Sequence, residues 1–255
     1  MKQKEEKNPG SEPVYGHFAA IYDRFTAHVP YKRWARYLCD HARRRFDSIP
    51  GRVLDLGCGT GSLLEALGLW VSELHGLDAS EEMLALARGR LGEGDFRAGR
   101  IQDALPYERG SFGWIICSHD TLNYLAEPDD LRAHFREVAR VLEKGGLYST
   151  EAVSLKNIME NHAGRTRTLR LAPYKIVVTR RFDRESNILT TEIRFLNGAD
   201  GEFVASEVHR ERYYHSGEII AAAKGAGLEL HAREGNYTFG PPGRGDDSMN
   251  FHFVK

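Results

Sequence analysis

The segment VLDLGCGTG, residues 53–61, ends a short apolar run in an acid, Asp55, and then turns through Gly57, Gly59 and Gly61. Glycines permit a tight turn and let a ligand approach the backbone closely. In open parallel sheets, ligands bind beyond the carboxyl ends of the strands. The Gly-x-Gly-x-Gly spacing is one residue shorter than the dinucleotide fingerprint. The next apolar run ends at Asp78, in GLDAS, where an acid accepts hydrogen bonds from ribose hydroxyls. Asp103 follows the third run and is placed to accept from an adenine amino group. Any one of these acids reads as a loop residue or a helix cap. Three at the ends of three successive strands, with one glycine turn, describe a nucleoside pocket.

A second group follows Cys117, where Ser118, His119, Asp120, Thr121, Leu122, Asn123 and Tyr124 lie at the mouth of the same cleft. His119 is the general-base candidate, because a histidine is largely neutral near pH 7. The alternative is an imidazole bonded to a backbone carbonyl at a strand end. A third group is EVHRERYY, residues 207–214. On a strand Glu207, His209, Glu211 and Tyr213 share one face, and Arg210, Arg212 and Tyr214 share the other. Either the segment belongs to a solvated sheet laced with charge pairs, or one face roofs the site and brings His209 to it. The histidines are scattered without metal-ligand spacing, so no metal is expected.

The elements that must position these residues alternate. Strands are predicted at 53–56, 74–77, 94–98, 112–117 and 146–153, and helices at 61–69, 80–91 and 129–142. Ser80 is a good N-cap, and Glu81 and Glu82 sit where the helix dipole favours anions. Such alternation predicts a parallel sheet covered on both faces, an α/β doubly wound fold. Upstream, a helical pattern begins at Val14, with Phe18, Ile21, Tyr22 and Phe25 recurring at helical spacing. A second helix after Pro30 carries an apolar stripe of Trp34, Ala35, Leu38, Ala42 and Phe46. Residues 1–13 are polar and read as a disordered tail. The texture changes over 165–214, where runs at 167–171, 174–182, 188–196 and 202–214 are separated by turn residues and read as antiparallel hairpins. A helix at 216–225, a strand at 228–234, a Gly/Pro-rich loop at 239–247 and a last strand at 249–254 complete the chain.

With 255 residues, 41 % of them hydrophobic, the chain has enough apolar material for a large core without disulfide or metal staples. A net charge of −1 gives no global field for nucleic acid or an anionic membrane. Three dispersed cysteines, an N-terminus without an apolar leader and no apolar run near the ~20 residues of a membrane span point to a cytoplasmic protein.

Residues 14–155 resemble the class I S-adenosylmethionine-dependent methyltransferases, with weaker similarity to the end. VLDLGCGTG looks like the family's first motif, GLDASEEMLALAR its second and RIQDALPY its third. WIICSHDTLNYL and VLEKGGLY look like its fourth- and fifth-strand signatures. The resemblance implies a mostly parallel seven-stranded sheet with an antiparallel last strand and S-adenosylmethionine as cofactor. It also implies the glycine loop against the methionine part, Asp78 on the ribose, Met83 near the base and Asp103 on adenine. YGHFAAIYDRF and YKRW are similar to the N-terminal helices of small-molecule methyltransferases, which close over the cofactor with an aromatic near its methionine end. Tyr15, Tyr22 and Trp34 are the candidates, with ordinary helix packing as the alternative. In the sugar N-methyltransferases a histidine precedes the closing leucine, near the amine; here that position is Tyr124. The methyltransferase domain is then expected over 14–164 and 215–255, with 165–214 as an antiparallel lid. The expected reaction moves a methyl group to a nitrogen or oxygen of a small-molecule acceptor, in a monomer or homodimer. An RNA methyltransferase, favoured by Lys32, Arg33, Arg36 and Arg43–Arg45, and a non-catalytic S-adenosylmethionine binder are the alternatives.

Overall fold

The central strand, FGWIIC, sends Phe112, Ile115 and Cys117 into one apolar layer and Trp114 and Ile116 into the other. A strand buried on both faces has no polar side to show to water. The computed structural model describes residues 14–92 and 94–255. The tail expected over residues 1–13 lies outside the described residues.

Around that strand, β4 (Phe112–Cys117), stand β1 (Arg52–Leu56), β2 (Glu73–Asp78), β3 (Asp95–Ala98) and β5 (Leu142–Val153). With β10 (Glu229–Gly235) and β11 (Ser248–Val254) they form one seven-stranded sheet, in the order β3-β2-β1-β4-β5-β11-β10. β1 to β5 pair in parallel, and β11 runs antiparallel to both β5 and β10. The helices are α1 (Ala19–Phe25), α2 (Tyr31–Phe46), α3 (Ser62–Leu67), α4 (Glu81–Leu91), α5 (Pro128–Val141), the single turn α6 (Leu155–Asn157) and α7 (Ser216–Gly225). The apolar residues of α2, α3 and α4 cover one face of the sheet, and those of α5 and α7 the other. The mixed seven-stranded α/β sheet is the one expected from the sequence.

β6 (Thr166–Leu171), β7 (Tyr174–Asp183), β8 (Ile188–Asn197) and β9 (Phe203–Arg212) form a separate four-stranded antiparallel sheet in chain order. Its inner face, with Ile176, Val178, Ile193, Phe195 and Ala205, packs against Phe18 and Ile21 at the start of the chain. The small sheet and α1 therefore share one apolar cluster beside the carboxyl edge of the large sheet.

Two local boundaries differ from the sequence reading. β5 begins at Leu142 rather than Gly146, because Leu142 already pairs with Phe112 before the register shifts. Helical geometry begins at Ala19, and Tyr15 before it stands at φ 66°. The α6 turn and the π-helical turn at Ile158–His162 had no apolar periodicity to announce them.

Candidate active site

Beyond Leu56 the chain needs an abrupt turn, and the glycines supply it with φ of 78° at Gly57, 53° at Gly59 and 78° at Gly61. The amides of Gly57 and Cys58 both donate to the Leu77 carbonyl, at 2.7 and 3.1 Å, which ties the loop to β2. Asp78 holds the loop further: its carboxylate accepts from Gly59 N at 2.8 Å and from Ser80 N at 2.9 Å. Ser80 caps α4 by accepting from Met83 N. The N-terminal helix is fastened to the same loop, since Thr60 donates its hydroxyl to Asp23 at 2.6 Å and Arg90 pairs with Asp23.

This frame encloses a cleft of about 430 Å³ at the carboxyl ends of the strands. Tyr15, Tyr22, Asp55, Gly57, Gly59, Asp78, Met83, His119 and Tyr124 all line it. Three expected contacts do not. Asp103 is exposed beyond the β3 turn, and Arg100, Ile101 and Gln102 take its place on the wall. Trp34 turns away and stacks flat on Tyr237, with ring centroids 4.2 Å apart, while Tyr31 from the same helix reaches the cleft. Gly61 serves helix packing: a Cβ there would stand 2.9 Å from Leu91 Cδ1. Ser118 and Thr121, placed at its mouth from the sequence, line the cleft as well; Tyr31 and Thr60 also line it and were not singled out in the sequence. Tyr31 begins α2 directly after Pro30, a position that could have marked it.

The turn after β4 is strained. His119 and Asp120 stand at φ 59° and 62°, a region costly for residues with side chains. The turn is held by Asp120 N donating to the buried Glu151 carboxylate at 2.9 Å and by Thr121 Oγ1 donating to Ser118 O at 2.8 Å. The conformation aims His119 Nδ1 at the hydroxyls of both Tyr22 and Tyr31, each 3.1 Å away. Burial lowers the His119 pKa, so the ring is neutral near pH 7 and its Nδ1 is engaged by phenols. Tyr124 Oη lies between Tyr15 Oη at 2.6 Å and His209 Nδ1 at 2.9 Å. Burial pushes the pKa values of Tyr15, Tyr22 and Tyr124 up, which keeps the three phenols protonated.

Behind this aromatic wall is a smaller chamber of about 120 Å³, bounded by α1, the small sheet and the turn after β4. It shares Tyr15, Tyr22, His119 and Tyr124 with the cleft and adds Asp120, Arg180, Thr191, His209 and Glu211. The solvated alternative for residues 207–214 does not hold, because Glu207 and His209 are 0 and 3 % exposed. Glu207 accepts from the amides of Tyr15 and Phe18, both at 2.8 Å, and so pins the N-terminal segment onto the small sheet. His209 lines the chamber rather than the main cleft.

A second buried polar cluster lies apart from the cleft. His41 Nε2 is 2.8 Å from Glu234 Oε2, and Tyr37 Oη is 2.8 Å from His252 Nε2. The His41 and His252 rings stack at 3.6 Å with planes 14° apart, so their in-plane lone pairs do not converge on one point. This is hydrogen-bond geometry, and it fastens α2 to β10 and β11.

Comparison with known proteins gives the fold and part of the chain a likeness. A family model described as a methyltransferase domain matches residues 53–146. The fold matches the crystal structure of an S-adenosylmethionine-dependent methyltransferase from Clostridium acetobutylicum with a TM-score of 0.81 at 22 % identity, covering 95 % of this chain and 99 % of that one. Residues 53–146 of this chain carry a methyltransferase domain. S-adenosylmethionine is the cofactor named for that Clostridium structure. Among relatives, the putative methyltransferase YqeM of Bacillus subtilis is 32 % identical over 152 residues, 58 % of each chain. A dTDP-3-amino-3,4,6-trideoxy-α-D-glucopyranose N,N-dimethyltransferase of Streptomyces venezuelae is 29 % identical over 196 residues, 76 % of this chain and 80 % of that protein.

The methyltransferase cleft suits that cofactor, which carries an ammonium, a sulfonium and ribose hydroxyls. Asp55 is 3 % exposed, lines the cleft and has no hydrogen-bond partner among the described residues. Burial, and secondarily the Asp78 charge, push its pKa up to about 8, which a cationic ligand would reverse. Asp78 has acceptor sites left after its two backbone bonds. At Gly59 no atom lies within 4 Å of where a Cβ would stand, so the loop is open on that side.

The Asp55 shift has a consequence for the ligand-free methyltransferase. A carboxyl whose folded pKa is raised contributes stability that is complete below its unfolded value and is lost as pH rises toward the folded one. Asp55→Asn removes that loss. Melting curves without ligand should place the variant above wild type at pH 8.5, with a smaller difference at pH 5.5. An equal gain at both pH values would mean that Asp55 is ionised throughout.

Proposed function

We propose that this chain moves the methyl group of S-adenosylmethionine to the nitrogen of a small-molecule amine. The observation that carries this reading is the chamber behind the cleft, where Asp120 and Glu211 face the wall of His119 and Tyr124. An amine reaches neutral water as an ammonium ion, which acidic side chains can hold by hydrogen bonds. Its nitrogen is a nucleophile only after losing a proton, and Glu211, with a pKa near 8, suits the acceptance of that proton.

The bound cofactor supplies an electrophilic methyl carbon on a sulfonium. The work left to the chain is alignment and proton handling, and alignment alone accounts for roughly 7–11 kcal/mol in favourable cases. Asp55, Asp78, Met83 and the Gly57–Gly59 loop would hold the cofactor. Tyr15, Tyr22 and Tyr124 would form the collar between the two spaces, and His119, its Nδ1 held by Tyr22 and Tyr31, would position the collar. His209 would orient Tyr124 from behind. The small sheet, 165–214 with its flanks, would act as a lid that keeps water from the collar.

The Streptomyces venezuelae relative is named for dimethylation of an amino sugar, which makes sugar amines reasonable first acceptors. The chamber's size speaks for a small molecule over RNA. The four aromatic and histidine residues it shares with the cleft speak for catalysis over a passive binder. Three buried free thiols, together with the absence of a membrane-length apolar helix among the described residues, support a cytoplasmic setting.

The test is transfer of labelled methyl from S-adenosylmethionine into a fractionated metabolite extract. Label should appear in small amines. Label in tRNA, with affinity falling steeply as salt rises, would replace this reading with the RNA one. In the same assay Tyr124→Phe should lower turnover far more than cofactor affinity, since loss of a transition-state interaction appears in turnover.

A further inference from the structure

Arg180, on β7, is the cation of the inner chamber. Arg140 and Arg90, also half-buried, are matched: Arg140 forks onto Glu137 with three contacts of 2.7–3.0 Å, and Arg90 pairs with Asp23. Arg180 is half-buried and, among the described residues, its guanidinium makes no ion pair and no hydrogen bond. Burial lowers its pKa, and the nearest opposite charges are Glu211 and Asp120, both beyond ion-pair distance. Glu207 is occupied by the amides of Tyr15 and Phe18. Glu211, its own pKa raised to about 8, is mostly protonated near neutral pH and does not neutralise the arginine.

A half-buried guanidinium with five unused donors is a ready partner for an oxyanion. Guanidinium and a carboxylate or phosphoryl group match in planar, two-point geometry. We infer that the methyl acceptor carries an anionic oxygen group, carboxylate or phosphoryl, and that Arg180 is its anchor in the chamber. The inference rests on the proposed reaction and narrows its substrate class to amines bearing an oxyanion. Arg180 holds the anionic end on the small sheet, which leaves the nitrogen to face the collar of Tyr15, Tyr22 and Tyr124.

Two measurements test it. Inorganic phosphate and acetate are titrated into the full chain saturated with S-adenosylhomocysteine, at constant ionic strength, with tyrosine fluorescence as the readout. At least one of them should bind saturably, and the choice tells phosphoryl from carboxylate. Arg180→Gln should weaken that binding at least tenfold and Arg180→Lys less, with S-adenosylhomocysteine affinity unchanged in both. Saturable binding by neither anion, or equal binding by Arg180→Gln and wild type, overturns the inference. Second, the labelled product from the extract should be retained on an anion exchanger at pH 11, where the amine has lost its proton and an oxyanion keeps its charge, and a product that passes through unretained also overturns it. Absence of any labelled amine would defeat the proposed reaction, while Arg180-dependent anion binding would still support the anion site.

Discussion

Gly59→Val is expected to abolish binding of S-adenosylmethionine and S-adenosylhomocysteine while leaving the protein folded. The space beside Gly59 is open within 4 Å, and Gly59 lines the cleft. A valine at φ 53° also carries backbone strain, of order 1–3 kcal/mol. A control separates the two effects. Gly92, exposed at the end of α4, stands at φ 61° with equally open surroundings and lies outside the cleft. Gly92→Val should lose comparable melting temperature and bind both ligands normally by calorimetry. Gly57→Val is a poorer test, because a Cβ there collides first with Thr121, and Gly61→Val would collide with Leu91. Normal binding by Gly59→Val would mean that the glycine loop is not the cofactor wall.

That three glycines of one motif do three different jobs is a property of the folded chain. The spacing in VLDLGCGTG shows that a strand must turn sharply into a helix, and Gly57, Gly59 and Gly61 all have positive φ as the turn requires. Which glycine faces a ligand, a threonine or a leucine depends on α4 and the turn after β4, both distant in sequence. Asp78 was legible for a similar reason: β2 ends there, and the end of a central strand fixes where its side chain goes. Asp103 was not, because β3 is the edge strand and the four residues after it, 99–102, carry that side chain into solvent. On α2, Tyr31 and Trp34 are three apart and share a face, so periodicity could not choose between them. The stack on Tyr237, a residue from the far end of the chain, takes Trp34 away. Arg180 left no trace in the sequence because its meaning is the lack of a partner, which only tertiary structure reveals.

Glu211→Gln is expected to lower turnover by about 10²–10⁴-fold, the usual contribution of a general base, with little change in cofactor affinity. Burial and the neighbouring Asp120 push the Glu211 pKa up to about 8 against the pull of Arg180. Wild-type turnover should therefore rise with pH through about 8, as the carboxylate forms. An amine acceptor gives a similar rise by losing its own proton, so the comparison must use the same acceptor for both proteins. The Gln variant should lose the inflection that belongs to the enzyme and keep only that of the acceptor. Unfolding cannot imitate this result. The raised pKa makes wild-type stability fall as pH climbs from the unfolded carboxyl range toward 8, so Glu211→Gln should melt higher than wild type at pH 8. His119→Ala provides the opposite case. Its ring is neutral and its Nδ1 faces two phenols, so the variant should loosen the collar and slow turnover while retaining the inflection near 8. If instead the inflection survives in Glu211→Gln and disappears in His119→Ala, the proton goes to the histidine and the carboxylates serve only to attract the ammonium.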